Sequence, residues 1–536
     1  MISPGLPDIF SAGRETARLL VAPTDLRATD PMEGEDLLSD RFCFQGETLE
    51  TNGKPPFSCA MPDDAFLREM ARFSWLRHFR TQDSSAANEK ARASVLSFLR
   101  RHRRISGPCW QTDVASQRLL AWLSHSTVVL KGADTQFYRR FAEAILRHER
   151  ILRQRYKTMP DDENRLIAAI ALCMVSICMD MPEKRRRQAS RRLDAALDRQ
   201  VLPDGGHITR NPQTLLNVLF SLLPLRQTYI NLDLTLPKRL VPAIDRIYPA
   251  LRFFRHADGN LALFNGNGAT LATDLSAIMR YDETGGTAFK ALPHNGYHRL
   301  QGNGTVLITD AGKPFSPHLS KTAHAGALSF EMSSGRSRFI VNAGVPNSSD
   351  AEMLRMARST AAHSAVTLGE TSSVRFSHSA FLGPVAIGGI RNTGAERSTG
   401  DDGTDTVDLW HDGYLGTFGV YCLRRISLSP DGQVIAGSDR FDRKNGEAPS
   451  PENRTAAIVR FHLHPSVWAL RENEHSIFLT APDNESWLFS APGLQVEIEE
   501  DLFFASNAGL TRSQQITVSS VIGDQSQIDW RFERQS

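Results

Sequence analysis

Two histidines and an asparagine stand where a sheet would present them. Ala327–Met332 alternates, Ser333-Ser334-Gly335 turns, and Arg338–Asn342 alternates again, which is the pattern of a β-hairpin. His324 precedes the first strand, Asn342 ends the second, and His363 follows after a loop. Two imidazoles and an amide can thus converge at one end of a sheet, where a rigid scaffold offers a base or a metal ligand to a groove. The competing account is that each histidine is a loop residue satisfied by local hydrogen bonds.

A second cluster lies in Leu202–Gln213, which carries two glycines, His207, Arg210 and Asn211. Pro212 suits the first helical position and Asn211 the N-cap, so Asn211 has a structural explanation. His207 and Arg210 do not, and Arg210 with Asn211 could hold an anionic sugar. Trp110, followed by Asp113, Arg118 and Trp122, combines stacking surface with polar ends and suits a sugar face, or equally a core. Asn164 opens the most apolar helix as a cap or as a groove-lining amide. Tyr297, beside His298 and Arg299, faces a cleft or sits with its hydroxyl at a sheet rim. His462 and His464 share one face of a strand as ligands or as a rim pair. Phosphate-loop, dinucleotide, zincin and nucleophile-elbow motifs are lacking, which argues against those chemistries.

At 536 residues the chain exceeds one core. A net charge of +2 points away from a strongly basic nucleic-acid binder, and six cysteines without a CxxC pair fit buried thiols. The start lacks the apolar run of a signal peptide, which favours a cytoplasmic protein, with the periplasm as the alternative. Leu166–Met179 falls short of the ~20 residues that span a bilayer, so no transmembrane segment is expected. Residues 1–60 read as an irregular wrapping segment. Residues 61–284 carry about eight consecutive helices with short links and no fixed repeat period, which favours a closed toroid over a solenoid. Residues 285–536 read as short strands punctuated by Asp-Gly and Asn-Gly turns, an antiparallel β-sandwich. A cleft between the two halves is the expected ligand site.

The motifs PDGGHxxRNP (Pro203–Pro212), DGxLALFNG (Asp258–Gly266), GYxRL (to Leu300), AHAGxLSFE (to Glu331), VNxGxP (to Pro346) and RSTxAHS (Arg358–Ser364) resemble those of heparinase II/III-like proteins, relatives of polysaccharide lyases. The resemblance runs collinearly over nearly the whole chain. It implies an N-terminal (α/α) incomplete toroid joined to a C-terminal antiparallel β-sandwich, and β-elimination at a uronic acid. That reaction neutralises the substrate carboxylate and moves a proton with a base and an acid, usually His and Tyr. On this chain it implies His207, Asn211, Tyr297 and His324 as the catalytic set, with Arg210, Trp110, Arg299 and Asn164 holding an acidic polysaccharide. His324 and His363 would be ligands if zinc binds. The sequence departs from the family pattern: Thr322-Ala323-His324-Ala325-Gly326 lacks the first His and the Asp of a common His-x-His pair, and Asn342 stands where a carboxylate is expected. Leu261–Gly268 has only Phe264 where a toroid tyrosine belongs, so Tyr297 or Tyr281 would have to substitute. A polysaccharide lyase acting on a uronic-acid glycan is the expectation, and a non-catalytic binder of acidic exopolysaccharide is the alternative.

Overall fold

The computed structural model describes residues 17–535 apart from 314–315, 349, 380, 445, 450–453, 524 and 526. Helices come first. They are α1 (Pro31–Leu38), α2 (Asp64–Arg72), α3 (Ser85–Arg101), α4 (Thr112–Ser124), α5 (Ser126–Leu130), α6 (Thr135–Arg155), α7 (Glu163–Cys178), α8 (Glu183–Gln200), α9 (Pro212–Asn231), α10 (Leu240–Phe253) and α11 (Ala272–Met279). Contacts run α2 to α4 to α7 to α9 to α11, while α6, α8 and α10 pack outside α4, α7 and α9. Helices alternating between an inner and an outer ring make the (α/α) toroid. α7 explains itself: Leu166–Cys178 is wholly buried, as an apolar-all-round helix must be. No helix among the described residues is long and apolar enough to cross a membrane. Ahead of α2, a hairpin of β1 (Arg41–Phe44) and β2 (Glu47–Glu50) sets Phe42 and Leu49 into the helical core.

The sandwich begins with β3 (Ala291–Leu292), β4 (Tyr297–Gly302), β5 (Thr305–Asp310), β6 (Phe330–Ser334), β7 (Ser337–Val341), β8 (Val366–Leu368), β9 (Val374–Phe376) and β10 (Ala386–Gly389). It continues with β11 (Thr393–Thr399), β12 (Asp405–His411), β13 (Val420–Leu428), β14 (Val434–Arg443), β15 (Thr455–Leu463), β16 (Trp468–Asn473), β17 (Ser476–Thr480), β18 (Ser486–Ser490), β19 (Val496–Phe503), β20 (Thr511–Ile522) and β21 (Gln527–Gln535). One antiparallel sheet runs β19-β20-β15-β7-β6-β5-β4-β3, with β8 also on β15, and the other runs β11-β12-β13-β14-β21-β18-β17-β16.

The first sheet carries the toroid on its far face. On β6, Phe330 and Met332 enter the sandwich core while Glu331 and Ser333 meet the helical domain, so all five residues are buried. Polar residues on that face are answered one by one. His256, after α10, bonds Glu331 Oε2 through Nε2 at 3.0 Å and Ser333 through Nδ1 at 3.0 Å. The other Glu331 oxygen accepts from the N–H groups of Leu263 and Asn342. A carboxylate and an imidazole with no exposure need partners of this quality.

His256→Ala would leave Glu331 buried with only its two backbone donors. A loss of about 2–3 kcal/mol is expected, measured as a lower urea midpoint in a transition that still carries both domains together.

Candidate functional site

The loop before α9 is built to meet the sandwich. Gly205 lies at φ 82°, and a Cβ there would come within 1.8 Å of the Arg246 carbonyl oxygen. Gly206 approaches Asn295 so closely that a Cβ would overlap its side chain at 2.4 Å. Asp204 accepts the N–H groups of His294 and Asn295 at 2.8 Å each, and Asn295 Nδ2 donates to the His207 carbonyl at 2.7 Å. Arg210, at φ 58°, donates to the carbonyls of Asn295 (2.7 Å) and Gly296 (3.1 Å), pairs with Asp310, and lies 4.6 Å over the Tyr297 ring. Its charge is therefore matched within the protein.

Tyr297 is fully buried between the domains. Its hydroxyl donates to the Arg210 carbonyl (2.8 Å) and accepts from Asn265 Nδ2 (2.6 Å), and burial raises its pKa above the ordinary phenol value. Asn265 also donates to Asp310 Oδ2 at 3.1 Å. The motif reading around Phe264 missed Asn265 and Asp310, which hold the centre of this network. The Asn-Gly turn at φ 48° and 86° was the available signal.

His324 and His363 do converge. His363 Nδ1 donates to the Ser359 carbonyl at 2.7 Å, so its neutral ring offers Nε2 as an acceptor, and His324 Nδ1 donates to it at 3.2 Å. His324 Nε2 is then the unprotonated nitrogen. Burial lowers both pKa values, that of His363 to about 4. Gly326 replaces the expected acid because a Cβ there would lie 2.5 Å from the His363 ring. His324 borders a cavity with Arg210, Asn265 and Asp310 whose volume is only about 20 Å³. That is room for one water and not for a sugar.

The zinc reading meets an unsuitable donor set. His324 and His363 bring two imidazoles together, short of the three or four protein ligands zinc takes. Asn342 Oδ1 accepts from Ser364 N–H at 3.1 Å, leaving its buried Nδ2 without a partner. Among the described residues no group of three His, Cys, Asp or Glu side chains could hold a metal. These residues do not fit zinc.

Other expected residues lie elsewhere. His207 is buried, accepts the Thr209 N–H on Nδ1 (3.2 Å) and bonds Gln200 through Nε2 (3.1 Å), and burial lowers its pKa to about 3. Asn211 caps α9 through Gln213 N–H. Trp110 is a core residue rather than a sugar platform, stacked 4.6 Å from His148 with its indole N–H on the His102 carbonyl. Arg299 donates to the Phe253 and Arg255 carbonyls and so closes the C-terminal end of α10 instead of facing a cleft. Asn164 is exposed, and the cap of α7 is Asp162. Tyr281 is 41% exposed. His462 bonds Asp501, and His464 bonds Ser466 and Arg338, so the two are not joined in one site.

Space for a ligand opens inside the helical ring. A cavity of about 240 Å³ is bordered by Asp25, Arg27, Arg77, Gln117, His125, Glu163, Asn217 and Phe220, with exposed Thr24 at its margin. Arg27 lies 4.4 Å over the Phe220 ring. Burial works against the ionised Asp25, but the bond to His125 and the Arg27 charge hold its carboxyl below the ordinary range. Burial raises the pKa of Glu163, which accepts from Thr214 Oγ1 at 3.0 Å. Two guanidinium groups, of Arg27 and Arg77, and two carboxyl groups, of Asp25 and Glu163, thus border the bore.

The family model described as heparinase II/III-like, C-terminal, matches residues 284–531. FtsZ-localized protein C of Caulobacter vibrioides (strain NA1000 / CB15N) is 28% identical over 538 residues, covering 96% of this chain and 90% of that protein. The crystal structure of heparinase III superposes with a TM-score of 0.75 at 12% identity, over 95% of this chain and 85% of that one. A mutant of heparan sulfate lyase HepC from Pedobacter heparinus gives a TM-score of 0.64 at 14% identity, over 95% and 84%.

The pH dependence of stability follows from the buried histidines. His207 and His363 stand below the ordinary ~6.5 only when folded, so the unfolded chain binds more protons at intermediate pH. Stability is full above pH ~6.5 and falls as pH drops toward ~4. Urea midpoints across that window should show the fall, and His363→Asn should make it shallower.

Proposed function

We propose, on the premise that this chain belongs to the heparinase II/III-like family, that it holds the end of an acidic glycan in its toroid bore and does not cleave it. The single observation that carries this reading is the inter-domain seam, which encloses about 20 Å³ and whose Arg210, Tyr297 and Asn265 already bond one another or Asp310. β-Elimination needs a cation for the substrate carboxylate and a titrating acid and base beside C5. At the seam the cation faces Asp310 and the phenol is pushed away from a useful pKa.

The bore supports binding instead. Its 240 Å³ equals about eight waters at ~30 Å³ each, the scale of one pyranose ring. Arg27 and Arg77 suit a uronate carboxylate, Gln117 and Asn217 suit ring hydroxyls, and Phe220 offers an apolar face. Short oligosaccharides in the cytoplasm or glycan strands in the periplasm would both supply such an end.

Lyase activity is the second reading, and one observation favours it: the hydrogen bond from His324 to His363 leaves His324 Nε2 as a free base at the cavity edge. It requires the seam to open.

Calorimetric titration with oligouronates should show binding that Arg77→Ala weakens by about tenfold or more, equal to ~1.4 kcal/mol, with no unsaturated uronate formed. Ultraviolet absorbance of an unsaturated product that grows with wild type and vanishes in His324→Ala would replace binding by the lyase reading.

A further inference from the structure

The sheet β11-β12-β13-β14-β21 buries one face in the sandwich core through Val407, Leu409, Cys422 and Ile426. Its other face carries two adjoining cross-strand rows. Register places Gly394, Trp410, Leu423, Arg440 and Gln527 in one row. Glu396, Asp408, Arg425, Ser438 and Asp529 form the next. Together these rows floor a depression of about 430 Å³. With strands ~4.8 Å apart, a five-strand row spans roughly 20 Å, the length of several sugar rings.

Its chemistry is that of a sugar platform. Gly394 has a positional reason: a Cβ there would lie 2.2 Å from Trp410 Nε1, so the missing side chain lets the indole lie across β11. Trp410 is half-buried and meets Tyr421 edge-on at 5.9 Å and 78°, which fixes its orientation. Arg425 and Asp408 form a two-point pair, Nε to Oδ1 at 2.6 Å and Nη2 to Oδ2 at 3.0 Å, with 61% and 42% of the side chains exposed. Arg440 is held by Asp442 at 2.8 Å. An exposed ion pair adds little to stability, but it keeps donors and acceptors fixed for hydroxyl groups beside an aromatic ring. Glu396, Asp408 and Asp529 outnumber Arg425 and Arg440 on these rows and both arginines are paired, so the face suits sugar hydroxyls rather than sugar carboxylates.

We infer that this outer face of the sandwich, centred on Trp410, Arg425 and Arg440, is a second glycan-binding surface that takes an internal stretch of a polysaccharide. The inference rests on the reading of this chain as a glycan binder, but on different residues from the bore. It assigns chain length: the bore takes a terminus, and the sheet takes several consecutive rings.

Affinity electrophoresis through gels containing alginate, hyaluronan, polygalacturonate or neutral dextran, run beside calorimetry with short oligouronates, tests it. Trp410→Ala should abolish retardation by at least one of these polymers while keeping short-oligomer binding, and Trp410→Tyr should restore part of it. Unchanged thermal unfolding in both variants would show that the fold is intact. Arg77→Ala should do the reverse, losing short oligomers and keeping polymer retardation. If Trp410→Ala migrates as wild type does in every gel, or wild type is retarded in none, the second surface is overturned whatever happens at the bore. A Trp410-dependent dimer in sedimentation without polymer binding would also overturn it, in favour of a second copy of this chain. If Arg77→Ala leaves oligomer binding intact while Trp410→Ala loses polymer, the bore reading fails and the sheet surface stands.

Discussion

Arg210 and Asp310 meet with only 5% and 4% of their side chains exposed, and a charge so far from water has to be matched where it lies. The match sits between two domains. Asp310 ends β5 in the sandwich, and Arg210 projects from the loop that starts α9 in the toroid. Around this pair run His256 to Glu331, Arg299 to the end of α10, Asp204 to the Asn295 turn, and Asn265 to Tyr297. Each bond crosses from helices to strands. Rotating one domain against the other would break several together, and the cost of orphaning buried polar groups is what fixes the arrangement.

That constraint explains why the fold was legible in the sequence while the site was not. Period-3.6 runs, caps and Asp-Gly turns are local, so helices such as Glu163–Cys178 and the hairpin around Gly335 can be read from neighbours in the chain. His207, Arg210 and Tyr297 could be singled out as unusual, but whether a polar residue faces a ligand or another element depends on partners far away. Arg210 meets Asp310 across 100 positions, and Arg299 meets Phe253 across 46. Nothing local announced that α10 would present bare carbonyls to a strand. The bore was missed for the opposite reason. Asp25 and Arg27 lie in a segment without periodicity, and Glu163 reads as an ordinary first-turn acid.

The pairing of His324 with His363 was legible as a convergence, and its chemistry follows from one carbonyl. Ser359 fixes the proton on His363 Nδ1, that choice turns Nε2 toward the proton of His324, and His324 Nε2 is left bare. A base prepared in this way requires an acid and a carboxylate-binding group on the other side of a substrate. The residues in reach are Asn265, an amide that does not titrate, and an arginine already facing an aspartate.

Opening the seam to admit a sugar would therefore be an exchange of partners. A uronate carboxylate could take the place of Asp310 on Arg210, but Asp310 would keep only the bonds from Gly312 N–H and Asn265, and Tyr297 would lose the Arg210 carbonyl. Breaking a buried pair costs about 3–5 kcal/mol, and a ligand shifts a closed protein to an open one only by its preference for the open form, ~5.5 kcal/mol for a change from 1:99 to 99:1. One carboxylate that restores one ion pair returns the system to where it began and leaves the remaining inter-domain bonds unmade. The bore and the outer sheet lie apart from these inter-domain bonds, so a ligand at either would leave them in place.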